Sequence, residues 1–150
     1  MMLAYRLVRL IETHADRLAS NLLQKVQNSP ELPSYNNVPT EELRQRVYDI
    51  YRHLGDWLMG KDESELRHRY AAIGFRRASQ HVPLSELILA IVLTKENLFD
   101  YLKAEALIDR PIEVFGELEL LQMLEQFFDR AIYHAAVGYE QEEVAQVMQR

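Results

Sequence analysis

The chain has 150 residues, 48% of them apolar, a formal net charge of −6 and no cysteine. That length suits one domain with a core of its own, and the apolar share argues against a disordered chain. The acidic balance speaks against a nucleic-acid partner, and without thiols there is no disulfide framework, thiolate metal site or cysteine nucleophile.

The opening stretch MMLAYRLVRLIETHADRL has charges interrupting its apolar positions throughout, unlike a cleavable signal. It reads as a helix from about Leu3 to Val26, with Leu3, Leu7, Ile11, His14, Leu18 and Leu22 at helical spacing. A second apolar set, Ala4, Val8 and Ala15, occupies a neighbouring face, more than one core contact requires. This helix and part of the last one are therefore expected to bury a symmetric homodimer interface, since cyclic dimers are the commonest oligomers.

Asn28 to Pro39, NSPELPSYNNVP, is rich in proline and asparagine and reads as a loop. Thr40 is a suitable N-cap for a second helix, with Glu41 and Glu42 in its first turn. Its apolar face is Leu43, Val47, Ile50, Leu54 and Trp57 or Leu58, and Gly60 closes it. Asp62 with Glu65 gives a capping-box-like start to a third helix. That helix carries Leu66, Tyr70 and Ile73 on one face and Ala71, Phe75 and Ala78 on another.

Pro83 stands where a fourth helix begins, because its missing N–H costs nothing in a first turn. From Leu84 to Leu93 this helix is apolar nearly all round, which predicts an enclosed, central element running to about Leu107. Its unbroken apolar run, Leu87 to Leu93, is far shorter than the ~20 residues of a membrane span, so no membrane insertion is expected and the chain reads as cytoplasmic. Asp109 and Pro111 punctuate it, and a fifth helix follows through Phe115, Leu118, Leu121, Leu124, Phe128, Ala131 and Ala135. Beyond Gly138 the polar segment YEQEEVAQVMQR continues as a weakly packed connector, which divides the chain into a domain over 1–139 and a connector helix over 140–150. No stretch alternates with period two over the length of a strand, so the fold is all-α: a single-domain bundle of about five main helices.

Catalytic chemistry is hard to find. His14, His53, His68, His81 and His134 never fall three or four apart, so no helix offers a two-histidine chelate. Glu65 and His68 form one Glu-x-x-His, but a di-iron bundle needs that motif twice and the second is absent. Neither a Gly-rich phosphate loop nor a Gly-x-Ser-x-Gly elbow occurs. No catalysis, metal or cofactor is expected.

Six residues remain as candidates for binding a ligand or partner. His14 lies in the apolar seam of the first helix, as a core imidazole or a pH-sensing group. Thr94 and Lys95 begin a polar turn, Thr94 to Asn97, that interrupts the fourth helix, so either Lys95 reaches a partner or water at the edge or the two residues line a small polar pocket. Arg76, Arg77 and Gln80 crowd the end of the third helix, where cations oppose the negative end of the dipole. They can fasten that corner to carboxylates of another helix, or hold an anion. With Arg67, His68 and Arg69 they form a basic cluster that the protein's own carboxylates are expected to neutralise.

The segment Arg76 to Leu87, RRASQHVPLSEL, resembles the signature of the N-terminal domain of RsbRD-type proteins, the RsbT co-antagonist family. Phe127 to Glu140, FFDRAIYHAAVGYE, is similar to the end of such domains, and Trp57-Leu58 near Gly60 to the close of their second helix. The likeness spans roughly Leu7 to Tyr139, with one departure, His81, where the family has a small residue, often glycine. The resemblance implies a non-haem, globin-like input domain that dimerises and passes a signal to a C-terminal effector, as in stressosome proteins or ahead of histidine kinase modules. A haem-binding globin sensor using His81 or His134, and a plain protein-interaction bundle, are the other readings.

Overall fold

In a computed structural model the backbone is described for residues 2–60, 62–104 and 111–149, with side chains at 6, 8–58, 60, 62–104 and 121–149. Five α-helices occupy almost all of it: α1 Met2–Gln27, α2 Thr40–Gly60, α3 Glu63–Ser79, α4 Leu84–Ala104 and α5 Pro111–Met148. No strand occurs among the described residues, and the fold is a single-domain all-α bundle. Among them no helix is long and apolar enough to cross a membrane. The side chains of Leu3, Ala4, Leu7, Phe115 and Leu118, and the expected end of α4 at Leu107 with Asp109, lie outside the described residues.

The helical periodicity of α1 emerges as burial: Val8, Ile11, Ala15, Leu18, Ala19, Leu22 and Val26 are all in the core. The helix is not straight. His14 has φ −110° and ψ 16°, outside helical values, and the neighbouring Thr13 hydroxyl donates to the Arg9 carbonyl at 2.7 Å, a back-bond that bends helices. Val8 and Ala15, expected at a dimer contact, are buried in the chain's own core, as is Ile11 of the neighbouring face.

The loop after α1 contains a single 3-10 turn, Pro33–Asn37, with Tyr35 buried. Thr40 is already helical rather than a cap: the Leu43 N–H bonds to the Pro39 carbonyl at 3.0 Å, so α2 starts from Pro39. Asp62 does cap α3, its Oδ1 accepting from the N–H groups of Ser64 and Glu65 at 3.1 and 3.2 Å. The reciprocal half of a capping box is missing because the Glu65 carboxylate takes Arg69 instead, at 2.8 Å.

Packing divides the bundle into two tight pairs. Helices α1 and α2 run antiparallel, with Gly55 facing Val8 so closely that a Cβ would stand 2.8 Å from Cγ1. Helices α3 and α5 run in the same direction, since Glu63 meets Arg130 and His134 while Ala71 meets Gly138. Their crossing is closer still. A Cβ on Gly74 would run into the Ala135 carbonyl, and one on Gly138 into that of Ala71. Between the pairs, α4 packs mainly on α1 and α5. Its enclosure is less complete than its composition suggests: Leu87 and Ile91 are buried, but Ile88, Leu89, Val92 and Leu93 are only half covered. Uniform apolarity here marks a helix with a broad contact arc, not one surrounded on every side.

Candidate functional site

The corner between α3 and α4 is where the basic residues gather, and its backbone explains why. The Val82 N–H bonds to the Arg77 carbonyl and the His81 N–H to that of Ala78, both at 3.0 Å, which is the Schellman closure of a helix. That closure places His81 at φ 61°, in the left-handed region where glycine is normally used. The turn therefore keeps the shape that a small residue would give it, at the expense of strain at His81. Substituting His81→Gly is expected to stabilise the fold by about 1 kcal/mol, the left-handed penalty less the added freedom of the unfolded chain. A urea midpoint that stays put or falls would show that the imidazole itself supports the corner.

The closed turn aims three side chains at one carboxylate. Arg76 grips Glu42 of α2 through Nε at 2.9 Å and Nη2 at 3.3 Å. Arg77 donates Nη1 to Glu42 at 3.3 Å and to the Gln80 amide oxygen at 2.8 Å, and the Gln80 amide nitrogen reaches both Glu42 oxygens at 3.2 and 3.3 Å. Arg77 is 2% exposed, and its guanidinium lies 5.8 Å from the Tyr35 ring centroid. The Arg76 hydrogen bond holds the Glu42 carboxyl below its ordinary range against the opposing effect of burial, with the charges of both arginines adding to it. Burial pushes the Tyr35 hydroxyl up to about 12 despite the pull of Arg77.

Two more contacts tie the corner to the rest of the molecule. Buried Glu86 in the first turn of α4 accepts from the Ser34 N–H at 2.9 Å and its hydroxyl at 2.6 Å. From α5 the Tyr139 hydroxyl donates to the Val82 carbonyl at 2.7 Å. The loop and all helices except α1 thus meet within one cluster, in which both arginines are held by Glu42 and the Glu86 carboxylate by Ser34. Of the two roles open to the arginines, the geometry displays fastening.

Of the other three candidates, Thr94 shares a small cavity of about 40 Å³ with Arg77 and Tyr35, while Lys95 and His14 lie elsewhere. Thr94 is buried, its hydroxyl on the Ala90 carbonyl at 2.8 Å. Its own carbonyl accepts the Tyr51 hydroxyl at 2.8 Å, while Asn97 donates to Tyr51 at 3.0 Å and to the Leu18 carbonyl at 3.1 Å. This network joins α1, α2 and α4 inside the core, and its centre, Tyr51, resembles any other apolar-face position in the sequence. Lys95 turns away to the edge, paired with Glu125 of α5 at 2.9 Å. His14 sits at the bend in α1, half-buried, with its ring 5.9 Å from that of Tyr101.

Of the four remaining histidines, His68 is exposed on α3, at the edge of the space between α2 and α3. His81 is exposed on the corner. His134 lies 2.9 Å from Glu63, which also takes Arg130 at 3.3 Å; the His134 bond first, then Arg130, holds the Glu63 carboxyl below its ordinary range. His53 is against the Asp49 carbonyl at 2.7 Å. Among the described residues no three side chains converge as metal ligands.

A feature that helical periodicity did not reveal lies beside the corner. Consecutive helices α2 and α3 run antiparallel but stand apart, and a cleft of about 220 Å³ opens between them. Its lining runs from Arg46 of α2 and Ile73 of α3 at one end to Asp62, on the α2–α3 connection, at the other. Its walls, Ile50 and Trp57 from α2 and Tyr70 and Ile73 from α3, have the spacing of core residues, which is how the sequence presents them.

Comparisons with the curated proteins and with the solved structures return no match. A family model does match, over residues 6–150, and its description is the RsbT co-antagonist protein rsbRD N-terminal domain. The segments flanking the corner, the closed turn at His81 and the helix that carries Tyr139 all fall inside that span, and the chain belongs to this family.

Proposed function

We propose that the chain is a non-catalytic signal-input domain of a bacterial signalling protein, which passes displacement through α5 to a following effector. Family membership supports a regulatory role in stress signalling. The observation that carries the transmission mechanism is the helix itself. α5 is continuous from Pro111 to Met148, crossing the expected boundary at residue 139 without a break. It leaves Val144, Val147 and Met148 58, 67 and 82% exposed at its end.

Homodimerisation is part of the same proposal, now on a different surface. With Val8 and Ala15 buried inside the chain, apolar groups still open to solvent include Tyr133, Val144 and Val147 on α5, and half-buried Val137 lies between them. These four recur at intervals of four, seven and three residues, the spacing of a coiled-coil seam. Two copies would align α5 with α5, with residues 1–139 as the sensing body and 140–150 as the paired connector.

The test is phase. Each inserted residue rotates everything downstream by about 100°, so one or two residues added after Gln141 in a natural fusion should lock or scramble output. Seven should nearly restore it. Output indifferent to insertion length would reduce the tail to a tether, and unchanged dimer mass on sedimentation of Val144→Glu would remove the α5 seam.

A further inference from the structure

Fastening engages only part of Arg77. Of the five N–H donors of its guanidinium, the pair on Nη1 goes to Glu42 and Gln80, and another acts on the Tyr35 hydroxyl. The rest belong to a buried side chain in which no nitrogen is both unpaired and sealed off. Arg77 lines the cavity of about 40 Å³ that it shares with Tyr35 and Thr94, walled by Leu22 of α1, Val47 of α2 and Ile91 of α4. Tyr35 is in a similar position. Its side chain is buried, its hydroxyl hydrogen has no acceptor among the described residues, and its oxygen is not sealed off either. Thr94 adds no donor, because its hydroxyl hydrogen is given to the Ala90 carbonyl.

Charge around this cavity is one-sided. The lining holds two arginines, Arg77 and Arg46, and no carboxylate. Arg46 also lines the neighbouring cleft between α2 and α3, which puts it at the partition between the two spaces. It is half-buried and has no ion pair or hydrogen bond among the described residues. Asp49, one turn along α2, lines the cleft but not the cavity and is bonded to Gln45 at 3.0 Å. Glu86, whose charge reaches Tyr35, is held by Ser34.

We propose that this cavity binds a small planar monovalent oxyanion, of the formate or nitrate kind, held by the free donors of Arg77 and the Tyr35 hydroxyl and admitted past Arg46. A ligand that only accepts suits a lining whose unengaged hydrogens come from these residues, and a planar oxyanion matches the fork of a guanidinium. A volume of about 40 Å³ is about three times the ~10–15 Å³ that one water needs, enough for about three or four heavy atoms. The aliphatic walls favour a single charge, since a dianion is far more costly to strip of water.

The Arg77 Nε–H resonance of the ¹⁵N-labelled chain, in low-salt buffer, reads the site directly. Sodium formate should shift it and saturate, whereas formamide, neutral and of the same shape, and sodium sulfate should leave it in place. Tyr35→Phe keeps the ring and should weaken formate about 10-fold, as for a hydrogen bond to a charged group. Arg46→Gln should weaken it about 3-fold at low salt and less as salt is added. Arg46 makes no bond in the Glu42 clamp, so its variant decides the matter even where Tyr35→Phe alters packing. A resonance unmoved by formate, as in a cavity that keeps only water, would overturn the proposal. So would a shift that formamide or sulfate reproduces, or a formate affinity unchanged in Arg46→Gln. Binding is read on the chain alone, with no effector attached, so this proposal and the proposed transmission through α5 can fail separately.

Discussion

Gly138→Ala is expected to cost about 3 kcal/mol of folding free energy, the upper part of the range for overpacking, and Gly74→Ala about as much. Both are helical glycines without positive φ, so neither is needed for its backbone conformation. An alanine would even gain up to ~1 kcal/mol from helix propensity. What forbids it is the opposing backbone: the Cβ at Gly138 falls on the Ala71 carbonyl and the one at Gly74 on that of Ala135. A flexible side chain could move aside, whereas a carbonyl inside a helix moves only if α3 and α5 separate along their length. Gly60 supplies the control, for nothing stands within 4 Å of its Cβ position, and Gly60→Ala should be neutral or slightly stabilising. Urea denaturation of the three variants decides the matter. Equal midpoints for Gly60→Ala and Gly138→Ala would mean that the helices do not cross this closely.

Glu42→Ala should be comparably severe, at about 3 kcal/mol, because it strands the buried Arg77 charge among groups already engaged. Glu86 cannot replace it while holding Ser34. Arg76→Ala should barely move the melting temperature, since Arg76 is 51% exposed and its loss leaves Arg77 and Gln80 on the carboxylate. Acid separates charge from packing. The Glu42 carboxyl has a folded pKa below its unfolded value of 4.5, so its stabilisation is present above that pH and is lost as pH falls through the folded pKa. Wild-type stability should fall as the pH drops below about 4.5. Glu42→Gln, less stable at neutral pH, should show a shallower decline, the rest coming partly from Glu63, whose carboxyl is likewise held low. Parallel pH profiles for the two proteins would assign the clamp to shape rather than to charge.

The helices were legible because a 3.6-residue apolar period survives any tertiary arrangement, and the corner because cations at a helix end before a proline have few other uses. Glu42 was not singled out. Sequence places it in the first turn of α2, where any carboxylate is welcome, and only folding brings it to Arg76, 34 positions away. The family likeness located the turn and named His81 as its departure, and the positive φ shows what that departure strains. Composition overstated the enclosure of α4, because leucines in a broad contact arc and leucines buried all round look the same in a sequence. The cleft escaped for the converse reason. Trp57, Tyr70 and Phe127 sit at core positions, and whether three aromatics meet or leave a gap depends on how far α2 stands from α3.

The interlocking of Gly74 with Ala135 and of Gly138 with Ala71 makes α3 and α5 a single lever. Under the proposed transmission the two helices would move together, so that the width of the gap beside α3 and the position of the C-terminal end of α5 would form one mechanical coordinate. From Arg130, paired with Glu63 near the start of α3, to Met148, the end of α5, the arm is about 27 Å long at 1.5 Å per residue. A tilt of about 5° at that fulcrum carries the tip roughly 2 Å sideways, comparable to the helix shifts that suffice in known switches. The Tyr139 bond to Val82 lies partway along the arm, where it latches the lever to the turn that leads into α4.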